Sequence, residues 1–422
     1  MSSSLPPMDS AYRDIVDQHA INVGLLWEFR MVVINQPHYA PEALAKLEQR
    51  INRHLNALLL QPELAWDIAA EALEAEEPGE TFTATLLAFA TRGNDENTEK
   101  TAQVTKAGRV NAKTFKGLVS ALGWLPGETG LKWIQPLLKS NDLDDNHLAI
   151  AVSRILSHDP GEPLVHLLER GAQHPQHPLF IYCLRLAGEL KRVDLKAACH
   201  QAATAENPDI RFWGIWSSVL LGGHGFAQAL EPYILQTNPW QQKAIQLAFR
   251  VVPDNVADAW IAQLLGHPGH HSGQLRQGIK AIAANGRIHA IPRLIVLMQD
   301  DTLARIAGEA FSLLTGIDLK QQQLTRPRPP LDEDPGDIDS ALEDAELPWP
   351  DAAKVAAQWQ PQATDFDAGQ RYLMGQPINA AHLNSIIASG YQRQRHAAAL
   401  ELALLEPLSS LNNTHAISKE LQ

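Results

Sequence analysis

The sequence predicts an all-α protein, an α-solenoid of helical-hairpin repeats with a helical cap at its N-terminus and a helix pair at its C-terminus. Three observations carry that class. Apolar stripes at helical spacing recur through the middle of the chain, each opened by a polar or Pro-containing break. The breaks at Asn146, His177, Asn207, Asn238, His271 and Asp301 follow one another at steps of 31, 30, 31, 33 and 30 residues. Each step also holds a second helix-like run, so every unit is a helix pair that must stack on its neighbours to bury its apolar face.

Residues 1–104 contain the long amphipathic runs DIVDQHAINVGLLWEFRMVVI and EALAKLEQRINRHLNALLLQ, which read as a helical cap region. The stretch TRGNDENTEKTAQ (91–103) has no apolar face and reads as a loop or a solvated helix end. The array itself spans 105–320, with GLVSALGWLPGETGLKWIQPLLKS (117–140) as a leading unit. First helices then begin at DNHLAIAVSRILS, HPLFIYCLRLAGEL, NPDIRFWGIWSSVLL, NPWQQKAIQLAFRVV, HSGQLRQGIKAIAAN and DTLARIAGEAFSLLTG. Second helices are GEPLVHLLERG, VDLKAACHQAA, AQALEPYILQT, VADAWIAQLLG and HAIPRLIVLMQ. Asn207 and Asn238 each precede Pro, which suits an N-cap acceptor followed by a residue whose missing N–H costs nothing. Gly266 and Gly316 sit just past apolar runs, where a left-handed C-cap is expected. Arg305 and Glu309 have the spacing of a helix-surface ion pair. After Leu319 the period stops, and 321–361 reads as an acidic, Pro-rich linker. Helical periodicity resumes in 362–422, with Asn379 as an N-cap and Gly390 as a C-cap.

Charge and composition narrow the function classes. The 422-residue chain carries a net charge of -13, and eight acidic residues with no basic one lie in LDEDPGDIDSALEDAEL (331–347), leaving the rest near -5. Duplex binding draws its affinity from Lys and Arg on phosphates, so a chain with 35 basic against 48 acidic residues is poorly suited to it. The start of the chain lacks the basic and apolar regions of a secretion signal, and no stretch approaches a membrane span; the expected location is the cytoplasm. Cys183 and Cys199 lack metal-finger spacing and read as small buried residues. His267, His270 and His271 cluster in HPGHHSG without the helical presentation that fixes a metal site. No HExxH, phosphate loop, GxSxG elbow or dinucleotide fingerprint is present, so neither catalytic nor cofactor-binding residues are assigned.

Ten tryptophans are more informative, because large aromatics either fill cores or mark contacts. Trp213, Trp216 and Trp240 read as packing between repeats. Trp349 and Trp359 flank the acidic linker and are expected to pin it or to meet a partner. Arg371, Arg393, Arg395 and His396 read either as a local basic patch open to a partner or, as is commoner for such residues, as a solvated helix face. Second helices of successive repeats would line a groove, bringing Glu169, Lys196, Gln228, Gln263 and Arg293 to a partner.

The paired-helix pattern, with Pro in the second helix and Arg leading an Ala/Gly-rich first helix, resembles HEAT-like repeats. Its step of about 30 residues is shorter than the ~40–47 of the standard unit and is similar to the compact variety related to bilin-lyase repeats. The succession EAFSLLTGIDL (309–319), LPWPD (347–351), RYLMGQP (371–377) and GYQRQRHAAALELALL (390–405) further resembles a proteobacterial family of HEAT-like repeat proteins often encoded near type VI secretion genes. That resemblance implies a role in handling a secretion cargo, with no established activity and no catalytic residues to carry over; together with the solenoid it gives the expectation of a non-catalytic, protein-binding scaffold or adaptor holding a secretion effector or spike component. Two other classes compete with it: a bilin-lyase-like enzyme acting on a prosthetic group, and a HEAT-like nucleic-acid-binding module. An acidic segment occupying a groove meant for a basic partner would make the scaffold autoinhibited.

Overall fold

Pro41, Pro62 and Pro78 each open a helix, where proline's fixed φ favours the first turn and its missing N–H is not needed. A computed structural model describes residues 8–90, 95–266, 272–330 and 343–418. It is a helical-repeat, solenoid-like fold whose strands, among these residues, are one short hairpin. No helix among them is long and apolar enough to cross a membrane. The chain divides into two compact units, the first within 1–35, 39–183 and 415–422 and the second within 36–38 and 184–414.

The first unit contains α1 (Met8–Val33), α2 (Pro41–Leu58), α3 (Pro62–Ala72), α4 (Pro78–Ala90), α5 (Asp95–Gly108), α6 (Ala112–Trp124), α7 (Gly127–Leu138), α8 (Leu143–Ile155) and α9 (Glu162–Gln173). Helix α4 is buried on nearly every side, as its unbroken TFTATLLAFA run requires. It crosses α1 where two glycines meet: a Cβ on Gly24 would sit 3.0 Å from the Gly79 carbonyl carbon. Beside that contact Trp27 stacks on Phe82 at 4.8 Å, and Trp124 meets Phe82 edge-on at 5.4 Å. The polar stretch expected to be a loop or helix end forms the first turns of α5 from Asp95 onward, and its anchor, Val104, lies just beyond the polar residues. Arg30 and Glu48 form a buried ion pair at 2.7 Å. Around it the tail is pinned: Arg30 donates to the His415 carbonyl at 2.9 Å, and Glu48 accepts from the Ser418 hydroxyl at 2.6 Å.

Helix α10 (Leu179–Glu189) contains the boundary between the units. The second unit continues with α11 (Lys196–Ala202), α12 (Pro208–Leu220), a 3-10 turn (His224–Leu230), α13 (Glu231–Leu235), α14 (Gln241–Ala248), α15 (Asp254–Gly266), α16 (Ser272–Asn285), α17 (Ile291–Leu297) and α18 (Ala304–Thr315). These are the helix pairs expected from the repeat period. The Asn207 side chain caps α12, accepting from the Asp209 and Ile210 amides at 2.9 and 3.3 Å. That of Asn238 accepts from the Trp240 amide at 2.8 Å, one residue ahead of α14. Gly316 adopts the left-handed cap, φ +70°, whereas Gly266 is the last helical residue of α15 and has no positive φ. Trp213, Trp216, Phe212 and Trp240 form one aromatic cluster, with Phe212 stacked on Trp240 at 5.1 Å.

The unit closes with α19 (Ala352–Gln362), a hairpin of β1 (Tyr372–Leu373) and β2 (Gln376–Pro377), α20 (Ala380–Ser389) and α21 (Gln392–Leu405). Asn379 caps α20 by accepting from the His382 amide at 3.0 Å, and Gly390 is its extended C-cap. Leu383, Ile386, Ala398 and Leu402 join Leu373 in a small core of their own.

Candidate functional site

The most concentrated chemistry lies in the second unit, where the end of the acidic segment is held by cations from three helices. Thr325 and Pro350 form an isolated antiparallel bridge. On either side of it the Arg326 amide donates to the Trp349 carbonyl at 2.9 Å, and the Asp351 amide to the Leu324 carbonyl at 2.8 Å. The Asp351 carboxylate then caps α19. Leu324 and Val355 anchor this stretch to the core. The chain between Glu343 and Asp351 is therefore fixed at its far end by backbone pairing and at its near end by charge.

Arg276 and Lys280, one turn apart on α16, supply the first two cations. Both Asp344 oxygens accept from Arg276, at 2.6 and 2.8 Å, in the forked geometry a guanidinium offers a carboxylate. Arg276 also reaches Glu343 at 3.0 Å, and Lys280 meets that carboxylate at 2.8 Å. From α18, Arg305 donates to the Asp344 carbonyl at 2.8 Å. From α21, Arg393 donates to the Glu343 carbonyl at 3.0 Å and pairs with Glu309 at 2.6 Å. Arg276 and Asp344 are both buried, so neither charge has water as an alternative partner. Burial pushes the Glu343 carboxyl up, but Lys280, Arg393 and Arg276 outweigh it and hold it at about 2. At Glu309 burial prevails over Arg393, and its carboxyl lies above the usual range.

Trp349 is half-buried between two guanidiniums, with Arg305 4.9 Å and Arg326 5.6 Å from its ring centroid. Such cation–π contacts hold both the ring and the cations in place. Next to them opens a cavity of about 340 Å³ lined by Arg305, Lys320, Arg328, Glu346, Leu347 and Trp349, with Ala345 and Pro348 completing the wall. Three cations face one carboxylate there.

Several residues expected at a partner surface have internal roles. The Arg371, Arg393, Arg395 and His396 patch is not formed as an open surface, because backbone carbonyls and carboxylates draw these groups inward. Arg371 holds Glu401 at 2.6 and 3.1 Å and donates to the carbonyls of Ala284, Asn285 and Arg250, tying the hairpin to the end of α16. Arg395 donates to the Ile387 carbonyl at 2.8 Å, joining α20 to α21, and His396 meets the Thr414 hydroxyl. Trp359 is buried against Phe311 and Phe366 and pins α19. The expected Arg305–Glu309 pair is replaced by Arg305 on the acidic segment and Glu309 on Arg393.

On the second helices, Glu169, Gln228, Gln263 and Arg293 are exposed and Lys196 is half-buried. Gln228 lies in the 3-10 turn instead of an α-helix. Glu169 belongs to the first unit and the other four to the second. Arg276, Lys280, Lys320 and Arg328 were not singled out from the sequence. Their signal was present: Arg276 and Lys280 have i, i+4 spacing, and TRPRPP directly precedes the run of carboxylates.

Burial pushes the Cys199 thiol up to about 12 and the Cys183 thiol further in the same direction, so both remain protonated thiols near neutral pH. Among the described residues no three His, Cys, Asp or Glu side chains are grouped to hold a metal. His267, His270 and His271 lie outside the described residues. No family model, curated protein or solved structure matches the chain.

Proposed function

We propose that the protein is a non-catalytic, protein-binding scaffold or adaptor. The observation that carries this reading is that its second unit already holds a peptide in cis. Side chains of α16, α18 and α21 read the carboxylates and carbonyls of the Glu343–Asp344 segment, and backbone pairing holds the stretch that follows. In recognition of extended segments, main-chain hydrogen bonds supply affinity and side-chain contacts supply specificity, and both are present here. The first unit adds a surface suited to protein contact: Ile21, Leu25, Phe29 and Val32 are exposed at helical spacing along α1. The resemblance in the sequence extends the reading to a type VI secretion effector or spike component as the cargo.

Affinity purification of the tagged, full-length protein from its native bacterium, with nuclease treatment, tests the reading. The expected result is one protein recovered in near-equal amount, which re-forms the complex when both are purified. Recovery of a bound pigment or a nucleic acid with no protein would overturn it.

A further inference from the structure

We infer that the cavity between Arg305, Lys320, Arg328 and Trp349 is a binding site for an acidic peptide segment of a partner protein. The inference rests on the scaffold reading and gives the partner a chemistry.

The sign of the site comes first. Three cations line the cavity against the single carboxylate of Glu346. Lys320 and Arg328 are exposed, and among the described residues neither side chain forms an ion pair with a carboxylate. Arg305 is committed on one side, through Nη1 to the Asp344 carbonyl and over the Trp349 ring. This arrangement leaves two exposed cations beside the partly committed Arg305, and ordering them on an anion costs side-chain entropy that charge pairing must exceed.

A neighbouring site is already occupied. Arg305 lines the cavity and also bonds the Asp344 carbonyl, and beside it Asp344 sits in the forked grip of Arg276 while Glu343 meets Arg276 and Lys280, so the neighbouring cations accept carboxylates and a peptide carbonyl. The acidic chain itself is thus a worked example of the ligand. The wall adds an apolar component. Trp349, Leu347 and Pro348 provide an apolar surface beside the cations, which suits acidic residues flanked by an apolar one. The volume of about 340 Å³ is at the small end of ligand sites, roughly 300–1,000 Å³, and admits a short stretch of peptide.

The rim also explains selectivity against nucleic acid. A duplex needs a continuous row of phosphate contacts, whereas this site offers three cations on a chain of net charge -13. The site therefore selects a local cluster of carboxylates.

Fluorescence anisotropy of a labelled hexaglutamate peptide on the full chain tests the inference. The expected result is saturable, salt-sensitive binding that weakens about ten-fold or more in the double variant Lys320→Glu/Arg328→Glu. Both substituted residues are exposed, so the variant keeps its fold, checked by an unchanged melting temperature. Lys132→Glu, which reverses an exposed cation in the first unit, should leave binding unchanged. Absent binding, equal affinity in the double variant, or tighter binding of inorganic phosphate or an oligonucleotide than of the peptide would overturn the site. Capture of a natural partner by the double variant at wild-type level would overturn it too, while leaving the scaffold reading standing.

Discussion

At the scale of single residues, the decisive feature is that the charges buried around the acidic segment come in complementary groups. Removing one member leaves the other stranded, which costs about 3–5 kcal/mol, whereas replacing both by apolar residues of similar size is often close to neutral. Arg276→Met is therefore expected to destabilise the second unit by about that amount, and Arg276→Met/Asp344→Leu by clearly less. Urea unfolding of the three proteins measures both, and equal losses would show that the pair is not coupled. Glu343 gives a pH dependence with a definite sign. Its carboxyl titrates at about 2 when folded against an ordinary 4.5, so the unfolded chain binds the proton more readily. The contribution is complete above 4.5 and is lost as pH falls through that interval toward 2. The stability gap between the wild type and Glu343→Gln should accordingly be wide at pH 6 and roughly half as wide at pH 3. Arg305 shows what residue-level sequence reading misses. Its local spacing to Glu309 was visible, but a carbonyl 39 residues away won the donor.

At the scale of helices, most of the architecture was legible, because repeat period and capping are local signals. Asn207, Asn379 and Gly316 take their expected capping roles for reasons contained within a few residues. Asn207→Ala should cost ~1 kcal/mol, measured as a shift in the urea midpoint, since two amides at the start of α12 lose their acceptor. The crossing of α1 over α4 was not legible, since nothing local distinguishes Gly24 and Gly79 from other helical glycines. Gly24→Ala forces a methyl against the Gly79 backbone and is expected to cost about 1–3 kcal/mol. An unchanged melting temperature would show that the two helices can part without loss. The hairpin at 372–377 was equally hidden. It is set by the ends of other helices: Met374 and Gly375 donate to the Leu313 and Leu314 carbonyls.

At the scale of the molecule, sequence reading identified the helical-repeat class and the acidic segment, while the pairing of distant residues was out of its reach. The Arg30–Glu48 pair shows why. Its partners at the tail, His415 and Ser418, lie about 370 residues or more along the chain, and no periodic pattern marks them. The candidate site has the same character: its cations come from α16, α18 and α21, and nothing local in any one helix marks the Glu343–Asp344 segment as their shared partner. On the proposed reading these cations hold the acidic segment as a bound peptide. Hydrogen exchange of the full-length protein, comparing the wild type with Glu343→Gln/Asp344→Asn, reads that hold amide by amide. The predicted result is protection of the Arg326 and Asp351 amides in the wild type, at least about ten-fold faster exchange in the variant, and unchanged protection in α12. Exchange of those two amides at free-peptide rates in the wild type, or at equal rates in both proteins, would contradict it.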